Sequence, residues 1–125
     1  MLFRSRPNVG VVLDSWHWRH AQETVEDLLR LTDREVVAVD LADAPRGAPL
    51  EQMPDLVREL PFATGVIDLV GFLGALRRIG VRGPVRAEPF GATLDHLPLD
   101  DAVAAAAASL RRAFDLLQAD DVSGS

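Results

Sequence analysis

The feature that most constrains the fold of this chain is a set of three short runs, two of them rich in valine. Each run is followed by a segment with helical spacing. Residues 8–13 and 35–41 are the valine-rich runs, and the third run, residues 84–88, begins at the proline of a Gly83-Pro84 turn. Continuous apolar runs of this length are typical of strands buried on both faces, as in parallel sheets. Strands that alternate with helices imply right-handed crossovers between parallel neighbours. The sequence therefore predicts an α/β fold with three parallel strands and three helices.

The first two helices carry recognisable start and stop signals. Thr24 with Asp27 three residues later resembles a capping box, and the helix that it opens is expected to end near Thr32. Asp68 can cap the second helix, and Gly80 supplies its C-terminal stop. Both helices are thus predicted from short polar signals beside apolar residues at helical spacing.

The remaining segments are a long loop, a last helix and two ends. Residues 42–64 hold four prolines and are predicted as a loop with a short helical turn near 55–59, of a length that is often functional. The last helix is expected from residue 99 or 100 to about 118. Residues 1–7 are a lead-in, and 119–125 are expected to be a disordered tail. The predicted apolar face of the last helix consists of Val103, Ala106, Ala107, Leu110, Phe114 and Leu117.

Composition excludes several classes of protein. The net charge is -6 and all 13 basic residues are arginines, scattered along the chain, so we expect no nucleic-acid partner. The longest apolar stretch, residues 62–76, is short and contains Asp68, so no membrane partner is expected either. Cysteine is absent, which excludes disulfides and thiolate metal sites. A cytoplasmic location is the expectation.

Acidic residues fall at or near the end of each predicted strand. These are Asp14, Asp40 and Glu88. In parallel α/β folds the carboxyl ends of the strands meet where ligands bind. Carboxylates that converge there repel one another, and a hard divalent cation with oxygen ligands relieves the repulsion. The alternative, left open, is that each residue merely terminates its strand as a cap or turn former.

The segment Asp14-Ser15-Trp16-His17-Trp18 is the most distinctive local feature. A strand running into it places a carboxylate and an imidazole on one loop. The two tryptophans can wall a sugar-sized pocket, and Trp16 is assigned to substrate contact. Under the alternative interpretation both tryptophans pack in the protein and His17 is a surface residue.

Three segments resemble sugar phosphate isomerases/epimerases of the xylose isomerase-like TIM-barrel family. VGVVLDSWHWRH is similar to the family's sixth strand and the residues directly after it, and VVAVDLADAPRG to the seventh strand and its loop. RELPFATGVIDLVGFLGALRRIGVRGPVRAEPF is similar to the passage through helix seven and strand eight. The resemblance covers residues 8–118 and implies a partial TIM barrel made of strands six to eight, its C-terminal part. Strands one to five have no counterpart.

The resemblance also implies a divalent metal, Mn, Mg, Co or Zn, held by strand-end residues. Asp14 and Glu88 match two family ligands, Asp40 stands where the family has a histidine, and the family's strand-five glutamate has no match. Glu88 would be the catalytic residue, one of a pair that moves a proton beside a carbonyl through a metal-stabilised ene-diolate. His17 and Arg46 match residues that contact substrate.

The predicted function is a fragment of an isomerase/epimerase acting on a sugar or sugar phosphate, inactive alone. The second interpretation is a non-catalytic remnant or an assembly module of the same fold, favoured by Asp40 and the unmatched strands. A third, a metal-dependent nuclease of the apurinic-site type, is disfavoured by the acidic charge and the absence of lysine. Open sheet edges and apolar side chains on the barrel-facing side of the sheet are expected to promote self-association.

Overall fold

The chain folds as three parallel strands joined through helices. A computed structural model describes residues 8–90 and 92–118. Single 3₁₀ turns lie at Asp33–Glu35, Leu50–Gln52 and Asp55–Val57. The strands and helices, in chain order, are β1 (Val11–Asp14), α1 (Ser15–His20), α2 (Val25–Leu29), β2 (Val36–Leu41), α3 (Leu69–Ile79), β3 (Val85–Ala87), α4 (Ala92–Asp95) and α5 (Leu99–Gln118).

The sheet has the order β1-β2-β3, and both strand pairs are parallel, as predicted. The register aligns Asp14 with Asp40 and Asp40 with Arg86. Since aligned residues of neighbouring strands point to the same side of a sheet, these three side chains share one face. The outer edges of β1 and β3 carry no paired strand within the described part of the chain.

The two faces of the sheet differ in what covers them. Val39 and Leu41 of β2 are fully buried in the core with α3 residues such as Phe72. On the opposite face Val12, two residues before Asp14 in β1, is 51% exposed. Helices therefore pack on one face, as strand–helix alternation implies for a barrel wedge. The open face of β3 presents Arg86 rather than the apolar residue expected there.

The capping signals in the sequence predict the helix starts well. Thr24 and Asp27 form the reciprocal capping box of α2, although α2 ends at Leu29 rather than near residue 32. Asp68 accepts from the amide of Gly71 at the start of α3. Gly80 ends α3 with a φ of 84°, a left-handed conformation that glycine adopts without a Cβ penalty.

The predicted loop after β1 is instead the helix α1. Asp14 caps it by accepting from the amide of His17, and the side chains of Trp16 and Trp18 are buried beneath it. The expectation of a carboxylate and an imidazole on one loop is therefore wrong in its secondary structure. A six-residue helix carries too little apolar periodicity to be detected, and burial of its tryptophans stabilises it.

The predicted apolar face of α5 is also wrong in part. Val103 and Phe114 are 59% and 41% exposed, whereas Ser109 and Ala113 are buried against the rest of the fold. Small side chains allow α5 to approach α3 and β3 closely, and Leu116 and Leu117 pack against the core, so the packed face is rotated from the predicted one. An alanine-rich helix offers several faces of similar hydropathy, and periodicity alone selects the wrong one.

Asp43 organises the loop of residues 42–64, which contains the expected helical turn at Asp55–Val57. Its side chain is fully buried and its two oxygens accept four backbone N–H groups. The donors are the amides of Ala44, Thr64, Gly65 and Ile67. Within the described ranges no helix is long and apolar enough to cross a membrane. The expected lead-in and disordered tail lie outside the described residues.

Candidate functional site

The three strand-end carboxylates meet on the open face of the sheet. One oxygen each from Asp14, Asp40 and Glu88 lies within 4.8 Å of the other two. Asp14 and Asp40 share the register of the sheet, and Glu88 follows β3, two residues after Arg86, on the same side. The amide of Glu88 donates to the carbonyl of Leu41 at 2.8 Å, which continues the β2–β3 pairing up to the site. The parallel sheet thus places all three carboxylates together.

Arg86 forms a two-point contact with Asp40. Its Nε donates to Oδ1 at 2.8 Å and its Nη2 to Oδ2 at 2.9 Å. The Asp40 side chain is 8% exposed, while that of Arg86 is 66% exposed. Hydrogen bonding from Arg86 is the main cause that lowers the pKa of Asp40 below its usual value. Asp40 is therefore a charged, compensated carboxylate.

Arg58 is the site residue that sequence reasoning missed. Its side chain is only 4% exposed, and Nη1 donates to Asp14 Oδ2 at 2.8 Å and lies 3.7 Å from Glu88 Oε2. Its Nη2 lies 3.1 Å from His17 Nε2. Since a guanidinium group has no acceptor, His17 accepts here through Nε2. Arg58 thus joins two of the carboxylates and the imidazole of the predicted site.

The backbone around Arg58 is fixed on both sides. Asp43 and Glu59 form a two-way backbone bridge with N···O distances of 2.9 and 2.8 Å. The amide of Phe90 donates to the Arg58 carbonyl at 3.1 Å. The guanidinium carbon lies 5.5 Å from the Trp16 ring centre and 4.9 Å from that of Phe90, within cation–π range. The loop of residues 42–64 therefore holds the guanidinium group of Arg58 in a fixed position at the strand ends.

The predicted substrate-contact residues occupy three different environments. Trp16 is fully buried, and its indole N–H donates to Asp55 Oδ1 at 3.0 Å. His17 is exposed beside Arg58. Arg46 is exposed and donates to the carbonyl of Thr64 at 2.8 Å, a loop contact separate from the carboxylates. Trp16 thus packs against Arg58. The substrate contacts of all three residues stay predictions.

Glu88 differs electrostatically from the other two carboxylates. Burial is the main cause that raises its pKa, and the negative charge of Asp40 raises it further, while Arg58 acts in the opposite direction. A carboxylate whose pKa moves up toward neutral is a stronger base when ionised. Arginines therefore balance the charges of Asp14 and Asp40, while Glu88 is the carboxylate more able to accept a proton.

The donor set agrees with a hard divalent cation. All three candidate ligand groups are carboxylates, whose oxygens suit Mg²⁺, Mn²⁺ and similar ions. The two guanidinium groups face three carboxylates, and Arg58 is also shared with Asp55 at 3.7 Å, so the site keeps an excess of negative charge. Each carboxylate oxygen also has more than one lone pair, so an oxygen that accepts from arginine retains a site for a cation. Asp14, Asp40 and Glu88 thus fit such an ion.

Comparison with known proteins decides the family. The family model described as xylose isomerase-like TIM barrel matches residues 2–114. The chain belongs to this family. This xylose isomerase-like chain is 32% identical over 99 residues to the inosose isomerase of Bacillus subtilis (strain 168), a match that covers 79% of the chain and 35% of the relative.

Solved structures support the same assignment. A crystal structure of IOLI protein with a binding zinc atom superposes with a TM-score of 0.82 at 27% identity, covering 93% of this chain and 41% of that one. A xylose isomerase domain protein from Alicyclobacillus acidocaldarius has 37% identity and a TM-score of 0.73, covering 91% and 40%. The xylose isomerase-like chain spans about a third of the length of its curated relative. The predicted partial TIM barrel is confirmed.

Proposed function

We propose that this chain carries part of the active site of an isomerase or epimerase that acts on a small polyhydroxylated carbonyl compound. The observation that carries the proposal is the meeting of Asp14, Asp40 and Glu88 at the carboxyl ends of three parallel strands. In TIM-barrel enzymes the catalytic groups lie at this end of the strands. The likeness to an inosose isomerase supports a cyclic or open-chain polyol with a carbonyl group as substrate.

Glu88 is the proposed proton-transfer group. Its ionised carboxylate takes the proton from the carbon beside the carbonyl, and the electron pair of that C–H bond moves toward the carbonyl oxygen to give an ene-diolate. Return of the proton to the former carbonyl carbon, with transfer of the hydroxyl proton from the neighbouring oxygen to the former carbonyl oxygen, completes an isomerisation. Delivery of a proton to the opposite face of the first carbon by a second acid completes an epimerisation and leaves Glu88 protonated until it returns its proton to solvent. The partial burial that raises the pKa of Glu88 favours this role.

The other residues of the site hold charge and position. Asp14 and Asp40, together with Glu88, would hold a divalent cation, which when bound supplies positive charge near the substrate oxygen that becomes negative. The solved structure of IOLI protein with a binding zinc atom supports metal binding by this fold, without fixing the metal. Arg58 orients Asp14, and His17 and Arg46 are proposed to bind hydroxyl groups of the substrate.

Deuterium exchange tests the role of Glu88 without requiring a complete reaction. The 125-residue chain is incubated with an inosose in D₂O containing Mn²⁺, and proton NMR follows loss of the signal beside the carbonyl. We expect exchange that falls by about 100-fold in Glu88→Gln. Glu51→Gln, an exposed charge-matched control on a 3₁₀ turn, should leave the rate unchanged. Equal rates for Glu88→Gln and the wild type would contradict the proposal.

A second candidate is a non-catalytic module of the same fold. The observation that favours it is that Asp14 and Asp40 already have arginine partners at 2.8 Å, as structural carboxylates do. Under this alternative the wild-type chain exchanges no faster than buffer, and Mn²⁺ does not bind between the strand ends. Net turnover by the isolated chain is not expected under either candidate, since its sequence offers no match for the family's strand-five glutamate.

A further inference from the structure

The contact between Arg86 and Asp40 occupies both oxygens of a candidate metal ligand. Arg86 donates to Oδ1 at 2.8 Å and to Oδ2 at 2.9 Å in the planar two-point geometry that suits guanidinium and carboxylate. A cation that binds Asp40 must either share these oxygens with a positive guanidinium group or displace it. Both cases weaken binding of the cation, because like charges repel across a few ångströms.

The two arginines of the site differ in how readily they can leave. Arg58 is 4% exposed, anchored by the backbone bridge beside it, and near two aromatic rings. Arg86 is 66% exposed and lies on the open face of the sheet, so water can solvate its guanidinium group once the contact with Asp40 is broken. Of the two, Arg86 is therefore the group that can exchange with an incoming cation.

We infer that Arg86 competes with a divalent cation for Asp40 and thereby sets the affinity of the site for metal. This inference rests on the proposed cation site and assigns Arg86 a positioning role within it. With Arg86 engaged, the cation is held by Asp14 and Glu88, and Asp40 joins only when the guanidinium group withdraws. On the open face, Asp40 thus binds either the guanidinium group of Arg86 or the cation.

Binding of Mn²⁺ to the full 125-residue chain tests the inference, with free ion measured by electron paramagnetic resonance. Arg86→Met should bind Mn²⁺ about tenfold more tightly than the wild type, the scale on which partners of a ligand alter metal affinity. Arg82→Met removes the same charge from an exposed position before β3 and should leave the affinity unchanged. Should Arg86→Met fail to fold by circular dichroism, Arg86→Lys retains the charge, loses the two-point contact and should show a smaller gain.

Competition for Asp40 is separated from a general charge effect by a double-mutant comparison. The double substitution Arg86→Met with Asp40→Asn should bind Mn²⁺ about as tightly as the wild type, because it removes both the competing guanidinium group and the ligand. Asp40→Asn alone should bind less tightly, because Arg86 then lacks its compensating charge. An Arg86→Met protein that binds no more tightly, or a gain that survives Asp40→Asn, would overturn the inference while leaving the proposed cation site intact. Absence of Mn²⁺ binding in every variant would overturn both.

Discussion

Removing the buried guanidinium group of Arg58 is the most informative perturbation of stability. Arg58→Met keeps the approximate volume of the side chain but leaves Asp14 without its 2.8 Å partner and Glu88 without a cation at 3.7 Å. Breaking a fully buried ion pair costs about 3–5 kcal/mol. The Asp14 and Glu88 side chains are 12% and 33% exposed, so water recovers part of the loss. We expect a loss of about 2–3 kcal/mol in the free energy of unfolding.

Urea unfolding followed by tryptophan fluorescence measures this loss. Asp14→Asn serves as the partner in a double-mutant cycle, because asparagine retains the N-cap of α1 while removing the charge. The coupling energy between the two substitutions should be about 1.5 kcal/mol or more. Arg82→Met, an exposed arginine, should change stability by less than about 0.5 kcal/mol. Additive effects of Arg58→Met and Asp14→Asn would show that the two side chains do not stabilise each other, against this prediction.

Three further experiments probe the fold around the site. Gly83→Ala should destabilise the protein by about 2 kcal/mol, because the new Cβ would lie 2.6 Å from a backbone oxygen of β2. Gly74→Ala in α3 meets no atom within 4 Å and should stabilise the protein by about 0.5 kcal/mol. Equal melting temperatures of the two variants would contradict this prediction. Asp43→Asn should lower the free energy of unfolding by about 3 kcal/mol, since an amide accepts through one oxygen where four N–H groups now converge; an unchanged urea midpoint would argue against that role. Val12→Lys on the open face should reduce self-association measured by sedimentation velocity, while Val103→Lys on α5 should not. Equal sedimentation of the two variants would contradict self-association through the open face.

The parts of the fold that sequence predicts are those specified locally. Apolar runs define the three strands, and polar caps such as Thr24 and Asp68 define helix starts, because both signals act over a few residues. The strand-end positions of Asp14 and Asp40 follow from the same runs. Since parallel strands share the direction of their carboxyl ends, the meeting of the carboxylates is also predictable.

The parts that sequence misses depend on distant contacts. Arg58 is 44 residues from Asp14, and nothing in a proline-rich loop indicates that one of its arginines is buried. The helix α1 is too short for periodicity and depends on burial of Trp16, whose ring therefore supports the site from beneath. The role of Arg86 follows only from the register that sets it beside Asp40. Tertiary packing decides each of these, and local propensity is overridden.

Anomalous diffraction from crystals of the chain grown with Mn²⁺ tests the central claim most directly. The claim is that the carboxyl ends of β1, β2 and β3 form one cation site on the open face of the sheet. We expect an anomalous peak between the carboxylates of Asp14 and Glu88, with Asp40 next to it. Crystals in excess Mn²⁺ that show no peak there, with Arg58 and Arg86 still bound to their carboxylates, would contradict it.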